Sequence, residues 1–351
     1  MANNEDNSKR KRVTLLEIAQ AANVSKSTVS LVLNNSPNAI PISEATRQSV
    51  LETAKMLGYR PNAAAKALAT GRSNTVLMVA FDLWDENLAE RLRGTEAFLV
   101  PAGYSVRMCT MDSAIGFGAY TELLRSGQAD GVLLTGISTP DTYPMLRDLA
   151  QEAKEEGIPV VALADAFPRE CVEIVADIED QKGAEDAVRH LIEHGHRTIV
   201  LLGVKDQRWA VNREKGYRAA LDGAGIPVDP SLVVLGDRSQ TWAYNTTLEL
   251  CKSLKFTAMF VVTDNMAVAA MSALHVSGRK VPDDCAIIGF DNNEKMAKYT
   301  DPPLTTVDNP FYDTGRQAAE MLIDMIEDRP LKRKPLPASL VIRQSCGCNP
   351  R

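Results

Sequence analysis

The chain lacks long hydrophobic runs and paired cysteines. It contains no stretch of about 18 or more apolar residues, so a transmembrane helix is not expected. Residues 1–12 are polar and end in four basic residues, unlike a secretory signal peptide. The six cysteines include no CxxC pair. We therefore expect a cytoplasmic protein with reduced thiols and no membrane partner.

The sequence also lacks the motifs of common enzyme classes. It has no GxGxxG motif, no Walker phosphate loop and no GxSxG nucleophile turn. Two groups resemble metal ligands: His190, His194 and His196 near a predicted helix end, and the pair Cys346 and Cys348. Each group lacks further ligands at suitable spacing, and histidines at a helix carboxyl end also complement the helix dipole. We expect no enzyme, no cofactor and no metal site.

Residues 14–34 predict two short helices joined by a tight turn. Thr14 and Glu17 match a capping box, Asn23 tolerates the left-handed conformation that ends the first helix, and Ser25 can cap the second. Val29, Val32 and Leu33 then share an apolar face. The outward-facing side chains are Lys26, Ser27, Thr28, Ser30 and Leu31. This pattern predicts a helix-turn-helix whose second helix enters the major groove of DNA, although an ordinary helical hairpin has the same local signals.

A third helix and the charge distribution favour the DNA-binding interpretation. Ser43 can cap this helix and Gly58 can end it, with an apolar stripe of Val50, Leu51, Ala54 and Leu57. Residues 1–72 contain ten Lys or Arg and five Asp or Glu, a charge of +5, whereas the whole chain carries −6. A basic module beside an acidic remainder suits phosphate binding. We expect residues 1–12 to be a disordered basic arm that touches the DNA backbone or stays solvated.

From residue 75 onward, apolar runs alternate with amphipathic helical segments. Seven runs predict buried parallel strands: 76–81, 105–109, 131–135, 159–164, 198–202, 258–263 and 285–290. The pattern repeats around residue 177, which predicts two similar doubly wound α/β lobes. Such lobes bind small ligands in the crevice at the carboxyl ends of their strands.

Eight short segments spread along the chain form a recognisable set. Those of the N-terminal module are 13–15 (VTL), 24–30 (VSKSTVS), 58–62 (GYRPN) and 70–73 (TGRS). Those of the remainder are 195–199 (GHRTI), 216–221 (GYRAAL), 289–292 (GFDN) and 302–307 (PPLTTV). By these segments the sequence resembles, over nearly its whole length, the LacI/GalR family of bacterial transcription regulators. The resemblance implies an N-terminal all-α helix-turn-helix DNA-binding domain and a periplasmic-binding-protein-like bilobed α/β core of two doubly wound parallel sheets.

The resemblance also implies domain boundaries. The helix-turn-helix domain covers 13–60, and a hinge helix with its linker covers 61–74. The N-terminal lobe of the core combines 75–176 with 307–337, and the C-terminal lobe combines 177–306 with 338–351. The hinge helix is short and alanine-rich, so we expect it to form when two protomers pair on DNA.

The implied function is transcriptional repression. The protein would bind double-stranded, pseudopalindromic operator DNA as a homodimer, under the control of a sugar-like small-molecule effector. A purine-type corepressor and a small-molecule receptor without a regulatory role are the alternatives, and inducer and corepressor action both stay open. A sugar kinase carrying a helix-turn-helix is disfavoured because the phosphate loop is missing. No heptad pattern follows Ser345, which favours a dimer over a tetramer.

Thirteen residues are candidates for DNA contact by this resemblance. They are Thr14, Ser25, Lys26, Ser27, Thr28, Ser30, Leu31, Asn34, Ser43, Thr46, Asn62, Ala65 and Leu68. Lys26 and Ser27 would contact bases, while Thr28 and Thr46 would bind phosphates. Leu31 either contacts a thymine methyl group or packs on the third helix. Leu68 either wedges into the minor groove or packs within a flexible linker.

Nine residues are candidates for effector contact. Arg213 and Asp291 head the set because a guanidinium and a carboxylate can each bond two sugar hydroxyls, although the two could instead form a structural ion pair. The others are Trp84, Asn87, Asp165, Trp209, Arg238, Thr263 and Asn309. Two positions depart from the family pattern. The usual acidic position holds Ala164, with Asp165 one place later, and Arg238 stands where an aromatic residue is common, which points to an acidic effector or to none.

Overall fold

The computed structural model describes most of the chain. The described residues are 13–33, 42–60, 67, 70–80, 83, 85, 87–110, 118–136, 143–163, 173–174, 178–334 and 336–348. The chain divides into two compact units, residues 1–73 and 74–351. The predicted basic arm and most of the predicted hinge helix lie outside the described residues.

Within its described residues, the N-terminal unit forms the helices α1 (Leu15–Ala21), α2 (Lys26–Leu33) and α3 (Glu44–Met56). The Thr14–Glu17 capping box is present, and Asn23 has φ 51° at the turn into α2. Ile18, Val29 and Val50, one from each helix, are fully buried at the centre of the unit. The predicted stripe of α3 is partly wrong because Leu51 and Leu57 are exposed, at 43% and 40%. Only one side of α3 is needed to cover the two short helices.

The second unit contains two sheets. The first sheet is parallel, in the order β2-β1-β3-β4-β5. Its elements are β1 (Thr75–Ala80), α4 (Leu88–Leu99), β2 (Ser105–Thr110), α5 (Gly118–Arg125), β3 (Gly131–Thr135), α6 (Tyr143–Glu155), β4 (Val160–Ala162) and β5 (Glu173–Ile174). Both faces of the sheet are covered. Leu77 and Val79 of β1 pack in one cluster with α5 and α6, while Val76 and Met78 pack on the opposite face against α4.

The second sheet has the order β11-β10-β9-β8-β6-β7. Its strands and associated helices are α7 (Asp180–Glu193), β6 (Ile199–Val204), α8 (Arg208–Gly223), β7 (Val233–Gly236), α9 (Gln240–Ser253), β8 (Ala258–Val261), α10 (Asp264–Val276), β9 (Ala286–Asp291), α11 (Glu294–Ala297), β10 (Thr305–Asp308) and β11 (Ser339–Val341). Every pairing is parallel except that of β10 with the edge strand β11. The doubly wound α/β prediction is confirmed, with this one antiparallel edge.

The chain crosses between the two sheets more than once. After β10 it enters α12 (Phe311–Ile326), whose Ala318 and Leu322 pack on the first sheet. It then returns to the second sheet at β11, and Ile178 pairs with Leu336 where two crossing segments run side by side. The crossings bring the carboxyl ends of strands from both sheets toward a common cleft.

The contact between α4 and α12 is unusually close. A side chain at Gly94 would lie 1.9 Å from the backbone oxygen of Tyr312, and one at Gly315 would lie 2.0 Å from that of Arg91. Glycine at both positions therefore allows the helix backbones to touch. None of the helices in the described ranges is long and apolar enough to cross a membrane.

Candidate functional site

The exposed side of α2 carries the predicted DNA-reading side chains. Lys26 and Ser27 are exposed at the start of the helix, and Thr28, Ser30 and Leu31 are partly exposed. Val29 and Val32 point into the core of the unit and orient the helix. An eight-residue helix with one buried apolar face and one polar face has the shape that fits a major groove.

Hydroxyl caps define the amino ends of α2 and α3. The Ser25 hydroxyl accepts a hydrogen bond from Thr28 N at 3.0 Å, and Ser43 accepts one from Thr46 N at 3.2 Å. The cap of α1 is the Thr14 hydroxyl, which accepts from Glu17 N at 3.3 Å. The remaining amide groups at each helix start are available to phosphate oxygens. The predicted contacts Asn34, Asn62, Ala65 and Leu68 lie outside the described residues.

Within the second unit, a cavity of 660 Å³ opens between the start of α4 and the carboxyl ends of β9 and β10. Asn87, just before α4, lines one side, and Asp291, the last residue of β9, and Asn309, which follows β10, line the other. Glu90 and Arg93 also line it. This is the place where ligands bind in doubly wound α/β folds.

Arg213 is the centre of a buried polar network next to this cavity. Its guanidinium donates to Asp180 Oδ1 at 2.8 Å, to Val262 O at 2.5 Å and to Asp291 Oδ1 at 3.1 Å. It also lies 3.6 Å from the ring centroid of Phe290, and Trp209 stacks on it at 4.7 Å. The structure thus brings Arg213, Asp291 and Trp209 together, with the arginine and the aspartate paired as an ion pair.

Asp291 has a strained backbone. Its φ is 109°, and the next residue, Asn292, has φ 49°. Non-glycine residues at positive φ cost of order 1–3 kcal/mol and persist where surrounding contacts hold them. The contacts here are Arg213 on the Asp291 carboxylate, and Asp308 and Arg343 on the Asn292 side chain, at 2.8 and 2.6 Å. The turn therefore aims the Asp291 carboxylate at the cavity.

Two buried polar atoms near the pair of Arg213 and Asp291 lack partners. Within the described part of the chain, Trp209 Nε1 and Asn309 Oδ1 have no hydrogen-bond partner. Asn309 Nδ2 makes a long contact of 3.4 Å to Asp291 Oδ1. Asn309 lines the cavity, so a bound polar ligand would recover the free energy that its unpaired acceptor costs.

The remaining effector candidates are placed differently. Thr263 is buried and caps α10 by accepting a hydrogen bond from Met266 N at 3.3 Å. Arg238 is partly exposed after β7. Asn87 precedes α4, and its backbone N–H donates to Asp85 Oδ1 at 3.1 Å. Trp84 and Asp165 lie outside the described residues.

Two buried acidic residues near Arg213 and Asp291 were not among the predicted site residues. Asp180, the first residue of α7, holds Arg213. Asp264, the first residue of α10, accepts hydrogen bonds from Thr306 Oγ1 at 2.5 Å and from Asn293 N at 2.8 Å. Burial, assisted by repulsion from Asp291, raises the pKa of Asp264 to about 8 although these hydrogen bonds favour the ionised form. The only local signal for either residue is an acid in the first turn of a helix.

Comparisons with known proteins cover both units. Residues 14–62 match the family described as bacterial regulatory proteins, lacI family, and residues 188–346 match the periplasmic binding protein-like domain. The chain is 34% identical over 348 residues to the HTH-type transcriptional regulator CelR of Thermobifida fusca. The aligned region covers 96% of this chain and 99% of CelR.

Two solved structures extend the similarity to the fold. A complex of the transcriptional regulator CelR with cellobiose is 33% identical with a TM-score of 0.69, covering 95% of this chain and 100% of that one. A Lac repressor bound to ONPG in the repressed state is 26% identical with a TM-score of 0.76, covering 95% and 100%. Because identity above 30% extends along almost the whole of both chains, the protein belongs to the LacI family of bacterial DNA-binding transcription regulators.

Proposed function

We propose that this regulator is a cytoplasmic repressor that binds a pseudopalindromic operator as a homodimer. Its affinity for the operator is controlled by a sugar-like effector. The observation that carries the effector proposal is the unpartnered acceptor Asn309 Oδ1, whose residue lines the cavity beside the Asp291 carboxylate. A polyhydroxyl ligand supplies the donor that this oxygen lacks.

Several features favour a saccharide. The volume of 660 Å³ lies within the range of about 300–1,000 Å³ of small-molecule sites. The Asp291 carboxylate can accept hydrogen bonds from two hydroxyl groups at once. Arg213 already bonds two carboxylates and a carbonyl, so its role is to orient Asp291 as much as to contact ligand. CelR, a relative over the full length, has been solved with cellobiose.

Control of DNA binding follows from the crossing segments. The cavity is lined both by α4, which covers the first sheet, and by the turn after β9 in the second sheet. A ligand that bonds both sides favours one angle between the sheets over others. The predicted hinge helix joins this unit to the DNA-binding unit, so a change of angle would alter operator affinity.

The DNA-binding proposal rests on α2. Lys26 and Ser27 would contact base edges, with Lys26 favouring guanine, and Thr28 and Thr46 would contact phosphates. Dimeric helix-turn-helix proteins read two half-sites related by the two-fold axis of the protein.

Fluorescence anisotropy on an operator selected from random DNA should show one dimer per site and an affinity that falls steeply with salt. Salt-independent binding, or a monomer on DNA, would refute this part.

The effector proposal is tested by calorimetry on the full-length protein. Cellobiose, monosaccharides, sugar phosphates and purines are titrated separately, and each binder is then added to the operator complex. Asn309→Ala should weaken saccharide binding about tenfold, because one buried hydrogen bond to the ligand is lost. Asn245→Ala, at an exposed position on α9, should leave it unchanged. Binding of a purine but no saccharide would overturn the proposed ligand class and leave the regulator assignment intact.

A further inference from the structure

Three potential metal ligands meet where α7 ends. The ligand atoms of His190, His194 and Cys348 all lie within 4.8 Å of one another. His190 Nε2 is 3.1 Å from Cys348 Sγ, and the two imidazole rings have centroids 4.3 Å apart. His190 and His194 lie at the opposite end of α7 from Asp180, the residue of this helix that pairs with Arg213.

The fold brings together two groups of potential metal ligands that each have too few ligands in the sequence, the histidines near the end of α7 and the cysteines after β11. His190 and His194 are four residues apart, so they lie on one face of the last turn of α7. Cys348 belongs to the segment that follows β11, which supplies the third ligand from more than 150 residues away. The sequence-based expectation of no metal site rested on this missing ligand.

The segment that carries Cys348 is anchored before it reaches α7. The hydroxyl of Ser345 donates to Ile287 O at 2.7 Å and accepts from Thr305 N at 2.8 Å. The thiol of Cys346 is buried and accepts a hydrogen bond from Thr305 Oγ1 at 3.2 Å. The sulfur of Cys348 lies within reach of both histidines, and the neighbouring thiol of Cys346 also forms a hydrogen bond with His190.

The histidines are oriented as metal ligands usually are. His194 Nδ1 donates to the backbone oxygen of His190 at 2.7 Å, which leaves its Nε2 with a lone pair for a metal. His190 directs Nε2 at the sulfur of Cys348. Both histidines lie at the carboxyl end of a helix, where the dipole favours a cation. The third histidine, His196, instead forms a hydrogen bond with Thr257 Oγ1 at 3.0 Å.

We propose that His190, His194 and Cys348 form a Zn²⁺ site that fastens the segment after β11 to the end of α7. Two imidazoles and a thiolate are a donor set typical of zinc. Bond lengths of about 2.0–2.1 Å to nitrogen and about 2.3 Å to sulfur place tetrahedral ligands roughly 3.4–3.6 Å apart. The present separations reach this geometry through small side-chain rotations. His194 is exposed, so the fourth position is open to water.

The test is metal titration of the full-length protein after chelation, with a thiol-free reductant that keeps the cysteines reduced. Zn²⁺ should bind at one equivalent, and Co²⁺ at the same site should show sulfur-to-cobalt charge-transfer absorption. The unfolding temperature of the protein should rise with the concentration of free Zn²⁺, as expected for a ligand that binds only the folded state.

Matched variants separate this site from adventitious binding. Cys348→Ser and His194→Gln should each lower Zn²⁺ affinity by at least the ~10–100-fold that loss of an outer-shell partner costs. His196→Gln and Cys251→Ser should leave affinity unchanged, because neither side chain belongs to the cluster. His194 is exposed, so its variant is expected to fold, and circular dichroism checks this. Absence of stoichiometric binding, or equal affinity in wild type and Cys348→Ser, would overturn the proposal.

Discussion

Replacing Arg213 by alanine should destabilise the second unit far more than replacing a neighbouring arginine of the same helix. The Arg213 side chain is 4% exposed, and its partners Asp180 and Asp291 are 9% and 7% exposed. The substitution removes the guanidinium that bonds two buried carboxylates and the Val262 carbonyl. Removing one partner of a buried ion pair typically costs about 3–5 kcal/mol.

The matched control is Arg218→Ala. Arg218 lies five residues later on α8 and pairs with Glu214, but these side chains are 46% and 20% exposed. An exposed pair at this helical spacing contributes roughly 0.3–0.5 kcal/mol. The two substitutions remove the same side chain from the same helix, so the difference between them isolates the effect of burial.

Urea unfolding followed by tryptophan fluorescence measures the two losses. The three tryptophans, at 84, 209 and 242, all lie after residue 73, so the signal reports on the second unit alone. Circular dichroism serves as a second probe because Trp209 touches Arg213. Adding Asp180→Asn to Arg213→Ala should recover part of the loss, since it removes one of the two buried negative charges that the guanidinium balanced. Equal losses for Arg213→Ala and Arg218→Ala would refute the reasoning.

Three further predictions concern other parts of the chain. Gly315→Ala places a Cβ 2.0 Å from Arg91 O and should lower the free energy of unfolding by at least ~1–3 kcal/mol. Gly223→Ala, at an open helix end, should be neutral or stabilising by up to ~1 kcal/mol. Equal free energies of unfolding for the two variants, measured by chemical denaturation, would contradict the close helix contact. The free energy of unfolding of the wild type should fall as pH rises from about 4 toward 8, because Asp264 keeps in the native state a proton that the unfolded chain has released. Asp264→Asn should remove a pH dependence of up to ~1.4 kcal/mol per pH unit. Parallel plots of unfolding free energy against pH for the two proteins would exclude a raised pKa of Asp264. Uracil in place of one operator thymine should weaken binding by about 1 kcal/mol in the wild type and have no effect in Leu31→Ala, unless another side chain contacts that methyl group.

The local features could be predicted from the sequence because they depend on neighbours along the chain. A capping box needs only Thr14 and Glu17, and the left-handed turn needs only a residue such as Asn23. Buried parallel strands are nearly continuous apolar runs, so β1, β3 and β6 were predicted within one or two residues. The edge strand β7 was missed because it is only partly buried and its apolar run is short.

The sequence by itself therefore determined the helix-turn-helix, the basic charge of the first unit and the doubly wound character of the second, since each follows from periodicity, capping and composition. Only the tertiary structure decided that Asp180 and Asp291 hold Arg213, and that Cys348 faces His190. These contacts join residues 33 to 158 positions apart. The contacts of Arg213 arise where α7, α8 and β9 of the second sheet's layer pack together, and that of Cys348 arises because the chain returns at β11. No local pattern encodes the side-chain partners that such packing brings together.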